Sequence, residues 1–108
     1  MDFKDDIVAI SSPSGMGAIS LIRVSGEKAL EKVNPFFKSK NGKSLLNIKS
    51  HSMMFGEFMN EDEVIDEVVV SFFDKDKSYT GQQTVEISCH GSTFIQKKIL
   101  QHLVHQEK

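Results

Sequence analysis

Ser78-Tyr79-Thr80-Gly81-Gln82-Gln83-Thr84-Val85-Glu86-Ile87-Ser88-Cys89-His90-Gly91 carries three features in fourteen residues: a glycine-centred turn, a strand with a carboxylate in its middle, and a sharp entry into a helix. Val85, Ile87 and Cys89 alternate with Glu86, Ser88 and His90, so one face of the strand is apolar and the other polar. The β-branched alternation favours a strand over a helix. His90-Gly91-Ser92-Thr93 then supplies small and polar residues ahead of an apolar-periodic run beginning at Phe94. Ser92 or Thr93 is a candidate cap, and free backbone N–H groups at such a helix start favour an anion or an oxygen-rich ligand. Read without a ligand, the same stretch is a strand–turn–helix corner with a solvated Glu86.

On its C-terminal side, Ile95, Ile99 and Leu103, with Leu100 and Val104, recur at helical spacing, while Lys97, Lys98, Gln101 and His105 point outward. On its N-terminal side, Val64 to Phe73 holds the densest apolar run in the chain and reads as a central strand. It pairs as a hairpin with the loosely alternating His51 to Met59 across the turn Asn60-Glu61-Asp62-Glu63. Glu57, Glu61, Asp62, Glu63, Asp66 and Glu67 fall within eleven residues, a run that reads as a solvated turn and not as a metal site.

At the start of the chain, Ile7-Val8-Ala9-Ile10 is a short buried strand followed by the loop Ser11-Ser12-Pro13-Ser14-Gly15-Met16-Gly17. That loop lacks the Lys and Ser or Thr that a phosphate-cradling Walker loop needs after its second glycine, since Ala18 and Ile19 follow Gly17. No nucleotide hydrolysis is therefore expected of this chain alone. Ala18 to Val24 is a second strand with Ile19, Leu21 and Arg23 on one face and Ala18, Ser20, Ile22 and Val24 on the other. Apolar residues on both faces imply a central strand, where a charge is costly unless it is paired or faces a ligand. Arg23 is therefore singled out; the alternative is a strand-end arginine reaching solvent. Ser25 is a candidate cap for a helix whose stripe is Ala29, Leu30 and Val33, and Asn34-Pro35 ends it. Phe36 and Phe37 are expected to fold back onto the core. Lys38 to Ser50 is expected to be a surface connection with a turn at Asn41-Gly42. The order is β-β-α-β-β-β-α, an α+β class with helices packed on a mixed, largely antiparallel sheet.

Composition narrows the function classes. A chain of 108 residues, 39% hydrophobic and 26% charged, suits one soluble domain, and a net charge of −2 argues against a free-standing nucleic-acid binder. The single cysteine, Cys89, excludes an internal disulfide and suits a reducing compartment. No run is long and apolar enough to span a membrane, and the acidic start is unlike a signal peptide, so a cytoplasmic protein is expected. Cys89 and His90 are adjacent on a strand and point to opposite faces, so they cannot chelate one metal together. No catalytic side chain and no metal ligand is assigned. Arg23 and Glu86 remain, two charges that interrupt apolar strands beside glycine-bearing turns and could project into one cleft. A ligand with an amidine-like heterocyclic edge and an acidic tail would use both.

Six pieces of the chain, in order and in register, resemble the N-terminal domain of the bacterial tRNA modification GTPase family, MnmE/TrmE. They are Asp6-Ile7-Val8-Ala9-Ile10, Pro13-Ser14-Gly15-Met16-Gly17-Ala18-Ile19, Ile22-Arg23-Val24-Ser25-Gly26, Ile65-Asp66-Glu67-Val68, Ser78-Tyr79-Thr80-Gly81 and Val85-Glu86-Ile87-Ser88-Cys89-His90-Gly91. The resemblance implies a folate-binding module similar to the folate-binding domain of glycine-cleavage aminomethyltransferase. It also implies a homodimer, with Arg23 and Glu86 contacting 5-formyltetrahydrofolate or another tetrahydrofolate derivative. In the whole family protein it implies a helical domain and a GTPase domain using GTP, magnesium and potassium. It further implies an FAD-containing MnmG/GidA-type partner, and modification of the wobble uridine of tRNA with a carboxymethylaminomethyl-type group. On this reading residues 1–108 are a single C-terminally truncated domain, without the family's downstream Pro-Gly-Glu-Phe motif and GTPase domain. The chain departs from the family pattern at Ser14, Met16, Gln82, Gln83 and Ser92; the last stands where the family has a second glycine and would narrow the helix entry. A dimerisation scaffold with a decayed folate site and a stand-alone one-carbon transferase are the competing readings.

Overall fold

The computed structural model describes residues 7–10, 19–74 and 83–104. The expectations placed on the loop Ser11–Gly17, on Tyr79-Thr80-Gly81, on Gln82 and on His105 lie outside the described residues. The elements run β1 (Ile7–Ile10), β2 (Ile19–Ser25), α1 (Ala29–Val33), β3 (Phe37–Ser39), β4 (Ser52–Asn60), β5 (Glu63–Phe73), β6 (Thr84–His90) and α2 (Thr93–Val104). Single 3-10 turns occupy Asn34–Phe36 and Leu45–Asn47. The strands form one six-stranded sheet in the order β1-β2-β6-β5-β4-β3, and every described pairing is antiparallel. The class is α+β, as expected, and β6 and β5 hold the centre of the sheet.

Alternation assigns the two faces. Ile22 and Val24 of β2, Val85, Ile87 and Cys89 of β6, Val68, Val70 and Phe72 of β5, and Met54 and Phe58 of β4 are buried in one cluster. Ala29, Leu30 and Val33 of α1 and Ile99 and Leu103 of α2 complete that cluster, so both helices cover the same face. Each fully buried Val, Leu, Ile or Phe side chain contributes roughly 1.5–3 kcal/mol. A helix of five residues has no independent stability, and α1 exists because its apolar stripe docks here.

α2 is fixed by its cap and by a buried polar tie. The Ile95 N–H donates to Ser92 Oγ at 3.4 Å, and the Gln96 N–H donates to the Ser92 carbonyl at 2.9 Å. The Gln96 amide, 2% exposed, donates to the Ser20 hydroxyl on β2, also 2% exposed, so neither polar group is buried alone. Phe36 folds onto the core by stacking on Phe58 with centroids 5.3 Å apart, and His102 of α2 stacks beside both rings.

Four local expectations differ from the structure. Ser25 ends β2 and does not cap α1, whose N-cap is Lys28; Gly26, at φ 145°, takes the chain out of the sheet between them. The connection after α1 is not purely a surface one. Phe37–Ser39 pairs with β4 as an edge strand, and Leu45 and Ile48 are buried. The helical stripe of α2 is narrower than its spacing suggested, with Phe94 and Val104 exposed and Gln96 buried in their place. The acidic run is not uniformly solvated, because the Asp66 side chain is only 9% exposed. The turn at Asn41-Gly42 forms as expected. Asn41 Oδ1 accepts the Lys43 N–H at 2.9 Å, and Gly42 takes φ 78°.

Candidate functional site

The face of the sheet opposite the helices carries the candidate site. Its residues form rows across the strands, set by the register. Arg23, Glu86, Ser71 and Met53 lie side by side on β2, β6, β5 and β4. Leu21, Ser88, Val69 and Phe55 form the next row, and Ile19 and His90 follow at the strand ends.

Arg23 and Glu86 meet directly. Arg23 Nη2 donates to Glu86 Oε2 at 2.7 Å and Arg23 Nε donates to the same oxygen at 3.2 Å. Glu86 Oε1 takes no hydrogen bond from any described residue. The two side chains therefore do not oppose each other across a cleft, as their spacing allowed. They stand side by side on neighbouring strands, Arg23 about half-exposed and Glu86 more buried, with one carboxylate oxygen left open among the described residues.

A depression of about 520 Å³ opens one row below this pair. Ile19, Phe55 and Val69 give it an apolar floor, and Ser88 and His90 give it polar atoms. Its volume falls in the range of small-molecule sites. At its edge Lys40 Nζ donates to Glu67 Oε2 at 3.0 Å. That contact holds the Glu67 carboxyl below its ordinary range and raises the Lys40 ammonium, by hydrogen bond first and charge second.

A second polar pair at the depression was not singled out from the sequence. The backbone N–H of His90 donates to Asp66 Oδ2 at 2.8 Å, and His90 Nδ1 lies 2.7 Å from Asp66 Oδ1. The β5–β6 ladder stops at Val69–Ser88, so the Asp66 carboxylate takes the N–H that no backbone carbonyl reaches. A bulge prepares this: Phe58 pairs with Asp66 and Met59 with Val64, which leaves Ile65 as the extra residue on β5. The sequence signal for His90 was its place on the polar face of β6 beside Glu86 and Ser88. Asp66 was hidden in the acidic run. Behind the depression, burial pushes the Cys89 thiol up to about 11, with the Asp66 charge adding to the shift. Among the described residues no three His, Cys, Asp or Glu side chains converge as a metal site. No described helix is long and apolar enough to cross a membrane.

Comparison with known proteins gives the chain a family. A family model described as the GTP-binding protein TrmE N-terminus matches residues 6–108. A tRNA modification GTPase MnmE of Christiangramia forsetii is 50% identical over 106 residues, which cover 98% of this chain and 22% of the relative. The protein of the same name from Flavobacterium psychrophilum is 44% identical over 106 residues, covering 98% and 23%. That from Acholeplasma laidlawii is 46% identical over 99 residues, covering 91% and 21%. The chain thus spans about a fifth of the length of the curated relatives it matches. With the six sequence pieces falling in the matched region, the chain belongs to the TrmE N-terminal domain family of tRNA modification GTPases.

Proposed function

We propose that this chain is the folate-binding and dimerisation domain of a protein that modifies the wobble uridine of tRNA. The observation that carries the reading is the Arg23–Glu86 pair, standing on the uncovered sheet face of a chain that belongs to this family. The residues present suit a tetrahydrofolate derivative such as 5-formyltetrahydrofolate. Glu86 Oε1, unbonded among the described residues, is an acceptor for the N–H groups of a pterin edge, and Arg23 holds the carboxylate in place through its other oxygen. Leu21, Met53 and Phe55 offer apolar surface for the flat body of such a ligand. When bound, that group supplies a one-carbon unit. Glu86 and Arg23 bind and orient without breaking bonds themselves, which is catalysis by placement.

The same reading includes the likeness to the folate-binding domain of glycine-cleavage aminomethyltransferase and a cytoplasmic setting. It assigns GTP, magnesium, potassium, the FAD-containing MnmG/GidA-type partner and tRNA to the longer family protein. The exposed Met53 and Phe55 favour self-association through this face, so a homodimer belongs to the proposal. Titration calorimetry of the purified chain with 5-formyltetrahydrofolate is the test. Saturable binding supports the folate module, and a dimer that gives no heat with the ligand identifies a scaffold whose folate site has decayed.

A further inference from the structure

His90 sits where a proton-accepting group would serve a ligand lying along β6. Glu86, Ser88 and His90 occupy alternate positions on one strand, so the Cα atoms of Glu86 and His90 are about 13 Å apart along the strand, with the carboxylate at one end of the row and the imidazole at the other. The depression lies at the His90 end. The polarity of the imidazole is fixed by its neighbour. A carboxylate accepts and does not donate, so Asp66 Oδ1 at 2.7 Å requires the proton of the neutral ring to be on Nδ1. Nε2 then carries the lone pair, has no hydrogen-bond partner among the described residues, and belongs to a side chain that is 70% exposed. Asp66 is itself held rigidly, because its other oxygen takes the His90 backbone N–H and its side chain is nearly buried.

We propose that Asp66 and His90 form an acid–base pair in which His90 Nε2 accepts a proton from an N–H or O–H group of a ligand seated in the depression between Ile19, Phe55 and Val69. Asp66 is the positioning residue. The proton leaves the ligand's nitrogen or oxygen for Nε2, the Nδ1–H bond to Asp66 is kept, and the imidazolium so formed is balanced by the Asp66 carboxylate. The groups around His90 agree with an N–H or O–H donor at this end of the ligand and disfavour a carboxylate placed beside the imidazole. From β5 it faces Asp66 and Glu67, the loop after β3 contributes Lys40, which Glu67 already holds, and β2 contributes only the apolar Ile19. The identification of that ligand with a tetrahydrofolate derivative rests on the function proposed above; the pair itself does not.

The test uses diethylpyrocarbonate, which acylates an imidazole nitrogen that carries a free lone pair, with ethanol and carbon dioxide as the leaving fragments. Mass spectrometry of the 108-residue chain at neutral pH reads each histidine separately. His90 is expected to react faster than His51 and His102, and Asp66→Asn, which can still accept the His90 N–H, is expected to slow it several-fold. An unchanged His90 rate in a folded Asp66→Asn chain would mean that Asp66 only caps the strand end, and would overturn the proposal. Should that variant not fold, nitrogen-15 spectra of the wild-type histidines decide instead: a neutral His90 ring protonated on Nδ1 supports the pair, and one protonated on Nε2 defeats it. Saturating 5-formyltetrahydrofolate is expected to protect His90 from the reagent. Calorimetric binding without protection would remove the ligand from the depression while leaving the folate reading intact. Fast, Asp66-dependent reaction in a chain that binds no folate would sustain the pair and sink the folate reading.

Discussion

Arg23 and Glu86 are register partners on β2 and β6, and the arginine spends two of its donors, at 2.7 and 3.2 Å, on a single carboxylate oxygen. The pair leaves Glu86 anchored at Oε2 and, among the described residues, open at Oε1. Glu86→Gln keeps the shape of the side chain but removes its charge and turns one acceptor into a donor. It is expected to weaken 5-formyltetrahydrofolate binding by roughly 1.5–3 kcal/mol, about one to two decades. Arg23→Ala is expected to cost a comparable affinity, because it frees the carboxylate from its anchored position. Both variants should remain folded, since half-exposed pairs of this kind contribute about 1 kcal/mol or less. Calorimetry and thermal melts read the two quantities separately. Wild-type affinity in Glu86→Gln, or unfolding of both variants, would make the pair a structural salt bridge.

Self-association is the second expectation. On β4, Met53 and Phe55 are 62% and 61% exposed on the open face, while Met54 and Phe58 alternate with them into the core. Ile19 adds to the same uncovered surface at 67% exposure. Phe55→Glu places a charge on this surface without touching the core cluster. Sedimentation of the wild-type chain at high micromolar concentration should show a dimer, and the variant should sediment as a monomer with an unchanged melt. A wild-type chain that is monomeric throughout the concentration range would defeat the idea.

Much of this architecture was legible because β6 alternates clearly, and period-two patterns survive wherever one face is buried. The hairpin of β4 and β5 followed from a loosely alternating run and a dense apolar run flanking a turn, and the stripe of α2 from its 3.6-residue spacing. Edge strand β3 was missed because its three residues carry no alternation to read, and its pairing is imposed by β4. Gln96 was given no place by the apolar pattern, and its burial rests on a hydrogen bond to Ser20 that leaves no periodic signal. The candidate pair Arg23 and Glu86 was visible as two charges interrupting apolar strands. Their direct contact was not, since strand order β2-β6 brings together residues that are 63 positions apart. The Asp66–His90 contact depends on a bulge, and a bulge leaves no periodic signal in an acidic run.

Gly56 is predicted to be indispensable for a reason of space. A Cβ at this position would stand 2.6 Å from Phe37 Cζ and 2.7 Å from Phe37 Cε1, and it would press still closer on the Lys38 carbonyl oxygen. A ring can rotate away, but the carbonyl belongs to the β3 backbone paired with β4. Gly56→Ala should therefore displace β3 and destabilise the fold by about 1–3 kcal/mol. A lowered urea midpoint with an unchanged slope is the expected result, and a wild-type midpoint would show that β3 yields without cost.

The Cys89 thiol supplies a pH-dependent prediction whose sign can be worked out. Burial raises it to about 11 from an ordinary value of 9.0, so in the folded chain the proton is held more tightly than in the unfolded one. Below the unfolded value both states are protonated and the thiol contributes no pH dependence. Between the two values the unfolded chain releases its proton while the folded chain keeps it, so stability falls as pH rises. The full loss is on the order of 3 kcal/mol, reached once pH exceeds the folded value. Cys89→Ala removes the titrating group along with one buried sulfur. Its urea stability should lie below that of the wild type near neutral pH and approach it as pH rises through this window, since other alkaline groups are common to both chains. Native-state alkylation with iodoacetamide at pH 8 should correspondingly be slow and accelerate on unfolding in urea. Parallel pH–stability curves for the two chains would show that the thiol is not held in its protonated form by the fold.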